Sequence, residues 1–240
     1  METTKIIKTF KYFLNYFLFM ADKLVALEAV RTRILKDVSL PLRDNGKLVF
    51  GKGNPNAQIV LIAEAPGEKE AEQGIPFVGR AGKELDKLLQ RIGLTLDDVY
   101  ICNILKYRPP KNRDPSVEEI ENHTPYLIEQ LKIIQPKIVA TLGNYSTKFV
   151  LGGFTTKGMK TVKGISVLHG KEQVVILDGV VFTIIPIYHP AAMLYNPRLR
   201  DAFEEDFIVM GKMLGLEDKS KVKRPWNIFN KIKKYFLLFK

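Results

Sequence analysis

Hydrophobic and polar positions fall into two kinds of block along the chain. The first kind is a short continuous apolar run, typical of a strand buried on both faces of a sheet, at residues 57–63, 98–105, 136–143 and 179–190. The second kind has a helical period and covers residues 22–36, 82–93, 116–134 and 144–153. Ser116 with Glu119 forms a capping box at the start of one helix. Residues 159–178 resemble a small hairpin.

Strands that alternate with helices predict a three-layer α/β/α domain with a central, mainly parallel four-stranded sheet. A chain of 240 residues is expected to hold one such domain. We place it at residues 21–218, between an aromatic and basic extension at 1–20 and a basic, aromatic tail at 219–240. The extension is too short and too polar for a secure membrane span. The single cysteine, Cys102, excludes an intramolecular disulfide and fits a reducing, cytoplasmic location.

The formal net charge of +11 suggests a polyanionic partner, but its distribution is uneven. Residues 219–240 carry +8 and residues 1–20 carry +2, which leaves +1 for the predicted domain. Any affinity of the domain for nucleic acid must therefore come from local basic patches, such as the loop from Lys106 to Arg113.

Each predicted strand ends in a polar or glycine-containing position: Glu64, Asn103, Gly143 with Asn144, and His189. Any one of them alone reads as an ordinary loop residue. Ligands of open parallel sheets, however, bind beyond the carboxyl ends of the strands, where these groups would share one crevice. Together with Phe77, they suit a flat heterocycle. The sequence has no P-loop and no GxGxxG after a strand, so we expect no nucleotide cofactor.

Four separated blocks resemble the uracil-DNA glycosylase superfamily, most of all its fourth family, from bacteria and archaea. The blocks read AEAPGEKEAEQGIPFVGRAGKELDKLL, NILKYRPPKNRDPSVEEI, PYLIEQLKIIQPKIVATLG and YHPAAMLYNP. The resemblance covers about residues 24–215. It implies a DNA repair enzyme that flips deoxyuridine out of DNA and hydrolyses its N-glycosidic bond, releasing uracil and leaving an abasic site.

The resemblance also implies a role for each matching position. Phe77 would stack on uracil, Asn103 would read its edge, and Glu70 would crowd C5, where thymine carries a methyl group. His189 would stabilise the charge that develops at O2. Glu64 would orient or activate water and balance the positive charge of the sugar.

Contacts with DNA follow from the same resemblance. The segment HPAAMLYNP matches a loop that enters the duplex, so Met193 or Leu194 would fill the space that the flipped base vacates. Five basic residues are candidates for phosphate contacts: Arg80, Lys106, Arg108, Lys111 and Arg113.

One family feature is missing from the sequence. Members of the fourth family typically hold a four-iron cluster on four cysteines, and the matching positions here are Asp37, Leu40, Tyr107 and His123. Leucine cannot ligate a metal, so we expect no cluster and no other cofactor. In its place we expect an apolar contact between Leu40 and Tyr107 and a pair between Asp37 and His123.

Two other functions stay open at this point: a non-catalytic relative that binds DNA or lesions, and a glycosylase for another deaminated base such as hypoxanthine. The retention of Glu64, Asn103 and His189 favours catalysis over pure binding. The tail stretch FNKIKKYF resembles a sliding-clamp docking peptide without its usual glutamine, and also fits a helix on the domain or a basic arm on DNA. We expect a monomer.

Overall fold

The protein is built around one six-stranded sheet, seen in a computed structural model that describes residues 22–216. The strand order is β1-β3-β2-β4-β6-β5. The strands are β1 (Lys52–Gly53), β2 (Ile59–Ala63), β3 (Tyr100–Asn103), β4 (Ile138–Leu142), β5 (Gln173–Leu177) and β6 (Val180–Ile187). The predictions for the two terminal segments lie outside the described residues.

Helices cover both faces of this sheet. They are α1 (22–36), α2 (Glu68–Gln73), α3 (Arg80–Arg91), α4 (Val117–Ile134), α5 (Asn144–Leu151), α6 (Ile165–Leu168), α7 (Ala192–Tyr195) and α8 (Arg200–Met213). Short 3-10 turns lie at Arg43–Asn45, Pro110–Asn112, Gly158–Thr161 and Pro197–Leu199. Among the helices of residues 22–216, none combines the length and the apolar character that crossing a bilayer requires.

The predicted fold class is confirmed, whereas the predicted number of four strands is wrong. The four predicted strands form the parallel centre β3-β2-β4-β6, and β1 and β5 add an antiparallel strand at each edge. β1 has only two residues, too few to show a period. β5 pairs with β6 across a tight turn, so residues 159–178 contribute one strand of a hairpin rather than both.

Two apolar clusters, one on each face of the sheet, form the core. The alternate side chains of β2 divide between them: Val60 and Ile62 join α1, α4 and α5, whereas Ile59 and Leu61 join α3 and α8. All five residues of β2 are buried, which explains its continuous apolar run.

The register of the parallel strands determines where the site forms. Ala63 lies opposite Asn103, Ile62 opposite Thr141, and Leu142 opposite Ile187. The four strands therefore end at one edge of the sheet. The predicted convergence of the strand ends is present in the structure.

Candidate active site

Three side chains and one glycine predicted from the sequence lie at this common edge of the sheet. Glu64 follows the last residue of β2, Asn103 ends β3, Gly143 follows β4, and His189 follows β6 by two residues. The main chain beyond β2 and β3 stays paired, because Ile104 N–H donates to the Ala63 carbonyl at 2.9 Å. This pairing holds Glu64 and Asn103 on neighbouring strand ends.

An aromatic pair forms one side of the site. The ring centroids of Phe77 and His189 lie 5.9 Å apart with an interplanar angle of 36°. Phe77 has a φ of 55°, a conformation that a bulky residue rarely adopts. The start of α3 packs directly against its main chain, since a Cβ added at Gly82 would lie 1.9 Å from the Phe77 carbonyl oxygen. Only glycine fits at position 82.

Glu70 supports Phe77 through two main-chain hydrogen bonds. One carboxylate oxygen accepts the Phe77 N–H at 3.0 Å, and the other accepts the N–H of Gly67, the residue before α2. The carboxylate therefore ties the start of α2 to the aromatic residue. Its predicted role in crowding C5 of the base stays a prediction.

His189 is held as a neutral imidazole. Removal of its ring from water lowers the pKa of His189 to about 4. The Ala191 N–H donates to Nδ1 at 3.3 Å, so the proton of the neutral ring belongs on Nε2. Gly143 allows the close approach of this residue, because a Cβ there would lie 3.0 Å from the His189 Cβ at a φ of 98°. The site thus contains a neutral N–H donor.

Asn103 is only 2% exposed, and its carboxamide has no hydrogen-bond partner among residues 22–216. Buried polar groups are normally paired, so a free amide at a strand end is a candidate for ligand recognition. A carboxamide offers both a donor and an acceptor on one edge, which suits the edge of a base.

Glu64 is half-buried and likewise has no hydrogen bond or ion pair within the described part of the chain. Burial, and then the nearby charge of Asp114, raise the pKa of Glu64 to about 7. Burial, and then the nearby charge of Glu64, raise the pKa of the Tyr145 phenol at the start of α5 to about 12. A carboxylate with this pKa can act as a base near neutral pH.

The phosphate-contact prediction is wrong for one of the five basic residues. Lys106 is 0% exposed, and its Nζ donates to the Asn103 carbonyl at 2.8 Å and to the Gln130 Oε1 at 2.6 Å. A fully buried ammonium group cannot contact a phosphate.

The other four basic residues stay predictions. Arg80 and Lys111 are exposed. Arg108 donates to Asn112 at 2.8 Å, and Arg113 pairs through two nitrogens with Glu119 at 2.8 and 2.5 Å. The Arg113 charge is therefore partly neutralised, which favours Arg80 and Lys111 as phosphate contacts.

The segment after His189 forms the short helix α7. Met193 is only 5% exposed and packs into the apolar cluster under α8, so the prediction that it fills a gap in DNA is wrong for this structure. Leu194 is 36% exposed and retains that prediction. Sequence reasoning missed Tyr195, which is 83% exposed and immediately follows it.

The four positions that correspond to cluster ligands carry ordinary protein contacts. Leu40 and Tyr107 are both buried in one apolar cluster, as expected. The predicted pair between Asp37 and His123 is wrong. Asp37 instead accepts hydrogen bonds from Tyr126 at 2.7 Å and Ser39 at 2.6 Å.

His123 is occupied at both ring nitrogens. Its Nδ1 accepts the Lys106 N–H at 3.0 Å, and its Nε2 lies 3.1 Å from the Pro41 carbonyl, to which it donates. Burial lowers the pKa of His123 to about 4. Within residues 22–216, no group of three or more His, Cys, Asp or Glu side chains is arranged to hold a metal. The residues at these positions therefore do not fit an iron–sulfur cluster.

Three residues near the site were not identified from the sequence alone. Asp114 and Tyr145 interact electrostatically with Glu64, and Gln130 bonds to Lys106. The sequence pattern could have indicated a buried role for Gln130, because this polar residue lies on the apolar stripe of α4, next to Leu127 and Leu131 in the core. No such pattern marks Asp114 and Tyr145, because both lie in polar stretches where exposed side chains are the rule.

Comparison with known proteins identifies the family. A model of the uracil DNA glycosylase superfamily matches residues 50–209, which is two thirds of the chain. That range contains Glu64, Phe77, Asn103 and His189. The chain belongs to the uracil DNA glycosylase superfamily.

Individual relatives point to one branch of that superfamily. The Type-4 uracil-DNA glycosylase of Archaeoglobus fulgidus is 45% identical over 167 residues, which are 70% of this chain and 82% of that protein. The Type-4 enzyme of Sulfurisphaera tokodaii is 47% identical over 160 residues, 66% of this chain and 71% of that protein. The Type-4 enzyme of Saccharolobus solfataricus is 46% identical over 160 residues, 66% and 72% respectively.

The contacts at the cluster positions generate a prediction about metal content. Protein expressed with added iron and sulfide and purified without oxygen should be colourless and contain far less than one iron per chain. Uracil release should be unchanged after treatment with a chelator. Elemental analysis and a visible absorption spectrum check this. A brown protein with about four irons per chain would show that other residues hold a cluster.

Proposed function

We propose that this protein is a monofunctional uracil-DNA glycosylase of DNA base excision repair. It takes deoxyuridine out of the DNA helix, hydrolyses the bond between N1 of uracil and C1′ of the sugar, and leaves an abasic site. The observation that carries this proposal is the meeting of a free carboxylate, a free carboxamide and a neutral imidazole at one sheet edge, in a chain that belongs to the superfamily.

Recognition of uracil is assigned to Phe77 and Asn103. The Phe77 ring offers a face on which a flat base stacks. The Asn103 carboxamide accepts a hydrogen bond from N3–H of uracil and donates one to O4. Cytosine carries an acceptor at N3 and a donor at N4, so it inverts both groups and is rejected. The rigid support of Phe77 by Glu70 and Gly82 keeps the stacking face in place.

Cleavage of the N-glycosidic bond separates charge. His189 is assigned to the negative charge on uracil and Glu64 to the positive charge on the sugar. As N1 leaves, uracil gains negative charge at O2 and the sugar gains positive charge. The Nε2–H of His189 donates to O2, where a fixed neutral donor stabilises the developing anion. Glu64 as a carboxylate stabilises the positive sugar and accepts a proton from the water that adds to C1′.

A variant of Glu64 distinguishes a catalytic protein from one that only binds DNA. Glu64→Gln should lower the single-turnover rate of uracil release about 100-fold or more, because general base catalysis typically contributes that much. Affinity for uracil-containing DNA should stay within a few-fold of that of the unmodified protein. Release of uracil from a labelled oligonucleotide measures the rate. Glu72→Gln, at an exposed acid of α2, is the control and should have no effect. An unmodified protein that binds DNA but releases no uracil would instead be a non-catalytic relative.

The raised pKa of Glu64 predicts a pH dependence. The carboxylate is the active form, so kcat/KM should fall as the pH drops through about 7. Asp114→Asn removes a repelling charge, which lowers the pKa of Glu64 and should shift the midpoint of this fall to lower pH. Glu118→Gln, at an exposed acid in the first turn of α4, is the matched control. An unchanged midpoint in Asp114→Asn would show that burial alone sets the pKa.

The C-terminal tail is proposed to attract DNA, with clamp docking as the competing role. Residues 219–240 carry +8 of the +11 net charge. Deleting them should leave single-turnover cleavage at low salt nearly intact, weaken DNA binding and flatten its dependence on salt, since fewer counterions are released. The double variant Tyr235→Ala, Phe236→Ala keeps the charge and should keep DNA affinity. If it abolishes binding to a sliding clamp, the docking role is supported instead. Monomeric state and cytoplasmic location stay predictions.

A further inference from the structure

The most unusual buried group near the site is the side chain of Lys106. It is a lysine with 0% exposure, three residues after Asn103. Lysine is rarely buried completely, because an ammonium group loses much hydration free energy when it leaves water. The ammonium group donates to two neutral oxygens, the main-chain carbonyl of Asn103 and the amide oxygen of Gln130. No carboxylate pairs with it among residues 22–216. Burial accordingly lowers the pKa of Lys106 to about 8.

Lys106 lies where the edge of the sheet opens. β1 pairs with β3 only at Lys52–Ile101 and Gly53–Tyr100, so the strand pairing stops before Asn103. The Asn103 carbonyl instead accepts a hydrogen bond from the Lys106 Nζ at 2.8 Å. On the facing segment, the Phe50 carbonyl accepts from the Gln130 Nε2 at 2.9 Å. The Lys106 Nζ donates to the Gln130 Oε1 at 2.6 Å. These two side chains therefore connect the Asn103 and Phe50 carbonyls at a point where the two segments are no longer paired as strands.

This bridge connects the base-reading residue to the rigid part of the domain. Gln130 belongs to α4 and also donates to the Tyr100 hydroxyl at 3.2 Å. The main chain of Lys106 is held as well, since its carbonyl accepts the Val49 N–H at 2.9 Å and its N–H donates to His123. The Asn103 carboxamide itself has no partner in the described residues that could orient it. Its direction therefore depends on the backbone that carries it.

We propose that Lys106 is a positioning residue for base recognition. Its ammonium group holds the Asn103 carbonyl, and so fixes the backbone from which the Asn103 carboxamide reaches the flipped base. A displacement of about 1 Å in a group that positions the substrate can slow catalysis substantially. The lysine ammonium group has three N–H donors, so it bonds to the Asn103 carbonyl and to the Gln130 Oε1 at the same time. This inference rests on the proposed role of Asn103.

Lys106→Met tests the proposal, because it preserves much of the shape and removes both hydrogen bonds. The single-turnover rate of uracil release at saturating DNA should fall about 10- to 100-fold, the value of a hydrogen bond from a charged donor. The DNA concentration for half-maximal rate should change less than about threefold, since Lys106 cannot reach DNA. Lys137→Met, at an exposed lysine just before β4 and so at the opposite edge of the sheet from the site, is the matched control and should leave the maximal rate unchanged.

A double-mutant cycle with Asn103→Ala distinguishes positioning from general support of the fold. If Lys106 acts through the Asn103 carboxamide, Lys106→Met should slow the Asn103→Ala protein by less than about threefold. An equal loss in both backgrounds, or a maximal rate for Lys106→Met equal to that of the unmodified protein, would overturn the proposal. If Lys106→Met does not fold, as judged by circular dichroism, Lys106→Gln enters the same cycle. Lys106→Gln keeps a donor, so its single-turnover rate should fall less, and the fall should still depend on Asn103. An unchanged rate in Lys106→Gln would refute the proposal.

The same measurements separate this inference from the proposed function. An unmodified protein without uracil release, or an Asn103→Ala protein with an undiminished rate, would refute the assigned function or the role of Asn103. A slow Asn103→Ala protein together with a fast Lys106→Met protein would refute only the role of Lys106.

Discussion

The active site depends on the in-register pairing of four parallel strands. Main-chain hydrogen bonds place Ala63 beside Asn103 and Leu142 beside Ile187, and so bring Glu64, Asn103 and His189 to one edge. A slip of one residue in any strand would turn its side chains to the opposite face of the sheet. The buried, wholly apolar β2 makes such a slip costly, because both of its faces pack against helices. The core that stabilises the fold therefore also sets the geometry of the site.

Exclusion of water has opposite effects on the two proposed catalytic groups. It raises the pKa of Glu64 to about 7 and lowers the pKa of His189 to about 4. The imidazole is then neutral at physiological pH, while a substantial fraction of the carboxylate is ionised. A fixed N–H donor in a dry site interacts strongly with a developing anion, because little water competes for it. One physical cause, desolvation, thus keeps the His189 imidazole neutral and makes the Glu64 carboxylate a stronger proton acceptor near neutral pH.

The side of the domain behind Asn103 is held together without metal ligands. His123 connects the loop after β3 to the residue after Leu40, through the Lys106 N–H and the Pro41 carbonyl. Tyr126 connects α4 to the end of α1 through Asp37, and Tyr107 packs edge-on against His123 with centroids 6.2 Å apart. These contacts join the same segments that four ligands would join. The buried Lys106 belongs to this region and extends it to the base-reading residue.

The sequence by itself determined the fold class, the alternation of strands and helices along the chain, and the types of residue that follow the central strands. Apolar runs of strand length alternate with helical periods, and that alternation leaves few arrangements other than a parallel sheet between helix layers. The motifs around Glu64, Phe77, Asn103 and His189 then indicated the family, because a residue's chemical type and its place at a strand end are local properties of the chain.

Only the tertiary structure decided which polar side chains are buried and what they contact. Lys106 belongs to a basic loop, and its sequence context predicts an exposed side chain. It is buried because the pairing of β1 with β3 stops before Asn103 and Gln130 of α4 binds its ammonium group. The sequence suggested His123 as the partner of Asp37, whereas the fold places the Tyr126 hydroxyl of α4 beside it instead. Met193 and Leu194 are adjacent, and one helical turn sends the first into the core and the second to the surface. Burial and pairing depend on contacts between residues far apart in sequence, so no local pattern of residues contains them.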